Sequence, residues 1–266
     1  MSMLPRVLLS VVSATVAAGC SPNGLPEYTK LGGLRVLALI SEPPEVSPGG
    51  TIVMTPLLSD LSDTGGVGRS LTYSALACAD PGVGYGARAS CASSTSKVEL
   101  AQGTLNLAAP NYTGGGTPFN VTVPSDVLER YSLAKQAAGI PYLVTYEIGA
   151  ADGTRVQAFK RIIVSPSTQT PKKQNPSTPS ILADGASLTA LPSRQSEMTV
   201  SWAGTVDASL TTTWFLSDGT FQRYRTSGAD SLSYTPPTTV PTSHAVVIVI
   251  VVRDKNGGAS YRVYGF

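Results

Sequence analysis

The chain has 266 residues, a length that suits one or two domains. Charged residues make up 14%, against roughly 25% in an average soluble protein, and the net charge of +2 excludes a chain built as a basic nucleic-acid binder. A hydrophobic fraction of 42% excludes wholesale disorder, while one histidine and three cysteines leave little material for a metal centre or a histidine-assisted nucleophile.

Residues 1–20 read MSMLPRVLLSVVSATVAAGC. One positive charge, Arg6, precedes an apolar stretch from Val7 to Ala18. That stretch is too short for a membrane span, which needs about 20 apolar residues, and it fits a secretory signal. Its end, Val16-Ala17-Ala18-Gly19-Cys20, resembles the bacterial lipobox, with Val16 where Leu is commoner. The resemblance implies cleavage after Gly19 and acylation of Cys20. Two or three acyl chains would anchor the mature chain, since one chain alone binds membranes only marginally. In enterobacterial lipoproteins an Asp after the cysteine favours inner-membrane retention, so the resemblance, with Ser21 at that place, implies the outer membrane. The polar stretch to Lys30 reads as a tether. The chain therefore divides into a signal peptide at 1–19, a tether at 20–30, a first domain at 31–165, a linker at 166–180 and a second domain at 181–266.

In the first domain, Leu34–Ile40 is a plausible opening strand, and Pro43-Pro44 and Pro48-Gly49 mark turns before Thr51–Leu58 resumes apolar, β-branched character. Ser70–Cys78 alternates, with Leu71, Tyr73 and Ala75 on one face. Cys78 and Cys91 remain once Cys20 is assigned to lipid. An exported chain with two cysteines across a Gly-rich loop reads as one structural disulfide. Val98–Ala108 and Pro118–Val123 are further β candidates. Asp126–Ala138, capped by Ser125 or Asp126 and stopped by Gly139 and Pro141, predicts a helix. Its stripe of Val127, Tyr131, Ala134 and Ala138 would pack against an open end of the sandwich. Tyr142–Ile148 and Arg155–Val164 flank Asp152-Gly153, a strong hairpin signal.

The segment SPSTQTPKKQNPSTPS, from Ser165 to Ser180, has four prolines and no aliphatic or aromatic side chain, and reads as an extended, semi-rigid linker. Beyond it, Glu197–Ala203, Leu210–Leu216, Thr220–Arg225, Ser231–Thr235, His244–Arg253 and Ala259–Tyr264 are β candidates. Turns lie at Asp218-Gly219 and at Asp254–Gly258. The run Ala245–Val252 is eight apolar residues bounded by turns, the pattern of a fully buried strand. Some 13 to 15 short strands predict an all-β chain of two tandem Ig-like β-sandwiches with one short helix in the first; closed barrels are the runner-up.

The string RVLALISEPPEVSPGGTIVMTPLLSD resembles the opening of Ig-like domains in Gram-negative envelope lipoproteins. The second domain resembles PKD-type and related bacterial Ig-like domains. The likeness is carried by Trp214-Phe215-Leu216-Ser217-Asp218-Gly219 and by Val247 through Gly258. It implies Trp214 as a core tryptophan between sheets, and non-catalytic extracytoplasmic modules used for binding or spacing. The Cys-Trp-Cys frame of antibody domains is absent.

No catalytic, cofactor or metal residue emerges. His244, the only histidine, opens a buried strand. Gly65-Gly66-Val67-Gly68 and Gly114-Gly115-Gly116 lack a following Lys-Ser/Thr and read as loop tips. Asp60, Asp63, Asp152, Asp218 and Asp254 read as turn residues, and no EF-hand spacing exists for calcium. Tyr85, Arg88, Tyr112, Arg223, Tyr224 and Arg225 lie near loops and are surface-binding candidates of the residue types found at interface hot spots. The expectation is a membrane-anchored envelope lipoprotein, held by Cys20, that binds a protein or glycan partner and no nucleic acid. A passive spacer or assembly subunit is the first alternative. A carbohydrate-active accessory protein or enzyme is the second.

Overall fold

The computed structural model describes residues 28–61, 68–82, 88–107, 112–178, 180–188, 196–239, 241 and 245–266. Strands β1 (Arg35–Glu42), β3 (Thr51–Asp60), β6 (Tyr112–Gly115) and β7 (Phe119–Thr122) form one sheet of the first sandwich, with β3 paired to the other three. The facing sheet runs β2 (Glu45–Val46), β9 (Arg155–Val164), β8 (Ile140–Ala150), β4 (Ser70–Ala79) and β5 (Val98–Asn106). Strand β2 crosses over from the first sheet and pairs in parallel with β9. The β8–β9 hairpin turns at Asp152-Gly153, where Asp152 Oδ1 accepts the Thr154 N–H and Gly153 takes φ +89°. Strand β4 sends Leu71 and Ala75 into the core, as its alternation predicts.

The second sandwich repeats the plan. One sheet runs β11 (Ala186–Ser187), β10 (Ile181–Ala183), β12 (Met198–Trp202), β16 (Leu232–Thr235) and β14 (Thr220–Phe221). The other runs β15 (Arg225–Ser227), β13 (Thr211–Leu216), β17 (Val247–Arg253) and β18 (Ala259–Gly265). In the first half β3 and β8 lie in opposite sheets, in the second β12 and β17 do, and in each half the last two strands form a hairpin. This is the A-B-E against C-F-G arrangement of an Ig-like sandwich. Trp214 is the central side chain of the second core, its indole N–H donating to Thr226 Oγ1 at 2.9 Å and its ring 5.1 Å from that of Trp202.

Three local expectations are corrected. The helix α1 covers only Leu133–Ala138 and buries none of its residues. The stretch before it forms successive turns, with N–H bonds from Val127, Glu129 and Tyr131 reaching back three residues. The packing against the sandwich comes from Val127 and Leu128 in those turns, and Ala134 and Ala138 are exposed. Gly114 and Gly115 are not a loop tip but part of β6, opposite Leu58 and Leu57. A Cβ on Gly116 would lie 2.9 Å from a terminal methyl of Leu58, which would have to shift. The return after Asp218-Gly219 does not pair back onto β13 as one strand. Its start, β14, joins β16 in the opposite sheet, and only its end, β15, returns to β13.

The segment between the halves is held at several points rather than free. Buried Glu45 accepts from Ser165 Oγ and from the Lys173 N–H. Asn175 donates to Ser41 O at 2.7 Å and to Glu42 Oε2, and accepts the Ala259 N–H at 2.9 Å. That one amide ties β1 to β18. The segment's side chains and backbone satisfy polar groups that each half would otherwise present to the seam.

Candidate functional site

Strands β13 and β17 are buried on both faces, because their alternate residues serve two different cores. Trp214, Leu216, Ile248, Ile250 and Val252 point into the second sandwich. Phe215, Val247, Val249 and Val251 point out of it, and pack on Leu31, Leu37, Ala38 and Leu57 of the first half. The period of two thus supplies both the sandwich core and a layer joining the two halves.

The same outward face turns polar at its other end. Arg225 lies opposite Thr213, and Arg253 lies opposite Thr211, so these four side chains continue the surface that carries Val251. They form one wall of a cleft of about 640 Å³ between the sandwiches. The opposite wall consists of Val36–Leu39 on β1 and Gln157–Lys160 on β9. Side chains alternate along a strand, so four consecutive lining residues mean that the cleft runs along the strand's edge. A smaller cavity of about 310 Å³ continues past Tyr28, Val156 and Phe215.

Four cations converge on this cleft: Lys160, Arg225, Arg253 and Lys255. None lies within ion-pair distance of a carboxylate among the described residues. The one carboxylate in the lining, Asp254, spends Oδ1 on the N–H groups of Asn256 and Gly258 in its own turn. Arg253 is half-buried, donating to Thr213 Oγ1 and to Leu37 O, both at 3.1 Å. A register shift in β1 between Val36 and Ala38 presents that carbonyl. Burial pushes the Arg253 guanidinium below its ordinary value, with the neighbouring Arg225 charge adding to the effect and Tyr28 opposing it. Lys160 donates to Gly257 O. Its ammonium is pushed down to about 8, mostly by burial and next by the Arg253 charge, with Asp254 acting the other way. Half-buried cations without an acidic partner are costly to keep, and their convergence makes the cleft receptive to an anion.

Cys78 and Cys91 are joined in a buried disulfide, Cα–Cα 5.6 Å, packed on Ala89 and Leu143. Of the described surface candidates, Arg225 alone lies in the cleft. Arg223 donates to Ser231 O, and Tyr224 is half exposed with its ring 5.8 Å from Tyr28. Tyr112 folds over its own strand to bond Gly115 O, and Arg88 is exposed. Cys20, the signal peptide 1–19, Asp63, Gly65 to Val67, Tyr85 and His244 lie outside the described residues. Sequence reasoning missed Lys160, Arg253 and Lys255. Arg253 and Lys255, two positions apart at the start of a turn, were visible, but nothing local paired them with Lys160. Among the described residues no group of three His, Cys, Asp or Glu is placed to hold a metal, and no helix is long and apolar enough to cross a membrane.

No protein-family model matches the chain, and no curated protein matches it. Solved structures resemble it at low identity. An N-terminal region of an enterococcal surface protein aligns over 93% of this chain and 98% of its own, at 9% identity and TM-score 0.33. The D0–D1 domain of intimin aligns over 87% and 98%, at 13% identity and TM-score 0.21. A Paenibacillus sp. cycloisomaltooligosaccharide glucanotransferase aligns over 52% of this chain at 13% identity and TM-score 0.34, and the match spans only 15% of that protein. The strand pairings by themselves define the class: an all-β protein of two tandem Ig-like sandwiches.

Proposed function

We infer that this is an acylated envelope lipoprotein, anchored through Cys20 in the outer membrane, whose tandem Ig-like sandwiches serve as a non-catalytic binding module. The observation that carries the reading is the buried Cys78–Cys91 disulfide. Structural disulfides belong to exported chains, and export is what the apolar stretch before Cys20 encodes. The polycationic cleft favours binding over a passive spacer. The clamped linker, with Asn175 bonded to both halves, favours the alternative of a stiff assembly subunit.

The anchor is tested by Cys20→Ser in cells. The wild-type protein is expected to partition into the detergent phase and to incorporate labelled palmitate. The variant is expected to remain aqueous and unlabelled. Equal partitioning of the two overturns the assignment.

A further inference from the structure

The cleft holds a second feature besides charge. Strand β9 has a partner on one side along its whole length, β8, but on the other side only at its end, where β2 meets Ile163 and Val164. The Ile163 and Ser165 N–H groups point to that outer side, reaching Pro44 O and Val46 O. The β8–β9 register is unbroken from Gly149 opposite Arg155 to Ile140 opposite Val164. In an antiparallel pair the outward groups recur at every second residue, so Gln157 and Phe159 also direct their N–H and C=O outward. Neither finds a hydrogen-bond partner among the described residues. Both residues line the cleft. At the far end the 254–258 turn closes over the strand, with Gly257 beside Arg161 O. An unpaired strand edge is a template for another strand, and this one faces Arg225, Arg253 and Lys255 across the cleft.

We propose that the cleft captures an extended acidic segment of another polypeptide, which adds a short strand to β9 at Gln157 and Phe159 while its carboxylates meet Arg225 and Arg253. Main-chain pairing supplies affinity in such strand addition, and side chains supply selection. The unpaired cations select acidic sequences and raise the association rate. Binding would also draw the Lys160 ammonium back toward its ordinary value. This inference rests on the binding-module reading. Its test uses peptide affinity, whereas that reading's anchor is tested by membrane partitioning, so the two failures are distinguishable.

The test titrates the full-length protein in detergent with a fluorescent alternating Glu-Val octapeptide. A Lys-Val octapeptide, a heparin hexasaccharide and inorganic phosphate are the comparison probes. The Glu-Val peptide is expected to bind, with affinity falling as salt rises, and the Lys-Val peptide is not. Arg225→Glu, an exposed position with no partner to lose, is expected to weaken binding at least about tenfold, equivalent to about 1.4 kcal/mol. Gln157→Pro removes the outward N–H from an edge where proline is tolerated, and is expected to weaken binding similarly without lowering the melting temperature. Amide exchange at Gln157 and Phe159 is expected to slow in the wild-type complex, a readout that stands if the proline variant melts early. Equal binding by Gln157→Pro with unprotected amides overturns strand addition. Binding of the hexasaccharide or phosphate alone, or of no probe, overturns the proposal.

Discussion

Cys78 and Cys91, 13 positions apart, close a loop packed against Leu143. A loop of that size contributes about 3 kcal/mol in the chain-entropy account. Replacing both cysteines with alanine is therefore expected to lower the urea midpoint by the equivalent of about 2–4 kcal/mol, read by tryptophan fluorescence. Lys160 acts in the opposite direction. Its value near 8 in the folded chain lies below the ordinary 10.5. Between those two pH values the unfolded chain holds the extra proton, so this group's contribution to stability rises with pH across the window. At neutral pH the folded protein bears the full cost of the half-buried charge. Lys160→Met is expected to raise the melting temperature relative to wild type at pH 7, with the advantage shrinking by pH 9.5. An advantage independent of pH would mean that the gain comes from packing alone. The pair of cysteines was legible from export logic and spacing. The lysine was not, since its burial comes from a turn almost a hundred residues further along the chain.

At the scale of single elements, the turns report which signals are local. Gly153 and Gly219 both follow aspartate, and both take φ above +80°. A Cβ on Gly153 meets nothing within 4 Å, while one on Gly219 would lie 2.5 Å from Thr235 O. Gly153→Ala is expected to cost about 1 kcal/mol for the left-handed backbone alone, and Gly219→Ala to cost clearly more, as measured by urea unfolding of the two variants. The difference has a physical origin in pairing. The first turn joins two strands of one sheet, whereas the second sends β14 to the opposite sheet, against β16. The alternation in Thr220–Arg225 carried no sign of that switch, because both sheets accept the same residue types. Gly114 and Gly115 in β6 were illegible for a simpler reason: glycine has no side chain with which to show a period. The helix was overextended because its apolar spacing fits a chain of turns equally well, and Val127 and Leu128 settle into the core from turns.

For the whole molecule, the layer of Leu57, Val249 and Val251 is fully buried between the two sandwiches. Separating the halves would return this apolar surface to water, at roughly 25 cal/mol per Å² exposed. A protease site inserted within residues 166–178 is therefore expected to yield nicked halves that co-elute in gel filtration, and that separate only in denaturant. Two resolved peaks in native buffer would show that the layer is too weak to hold them. The extended form predicted for this segment left out its anchoring by Glu45 and Asn175, which needs both halves in place.

Composition, period-two patterning and turn chemistry determined by themselves that the chain is all-β and where most strands begin and end. These are short-range properties, set by backbone sterics and by which face of a strand is apolar. Only the tertiary structure decided that one face of β17 serves the second core and the other serves the contact between sandwiches, since an unbroken apolar run looks the same either way. Only it assembled the cationic cleft, whose walls come from β1, β9, β13, β15 and the end of β17 with its following turn. Electrostatic fields and burial act across space rather than along the chain, so a site built from five distant segments has no signature in any one of them.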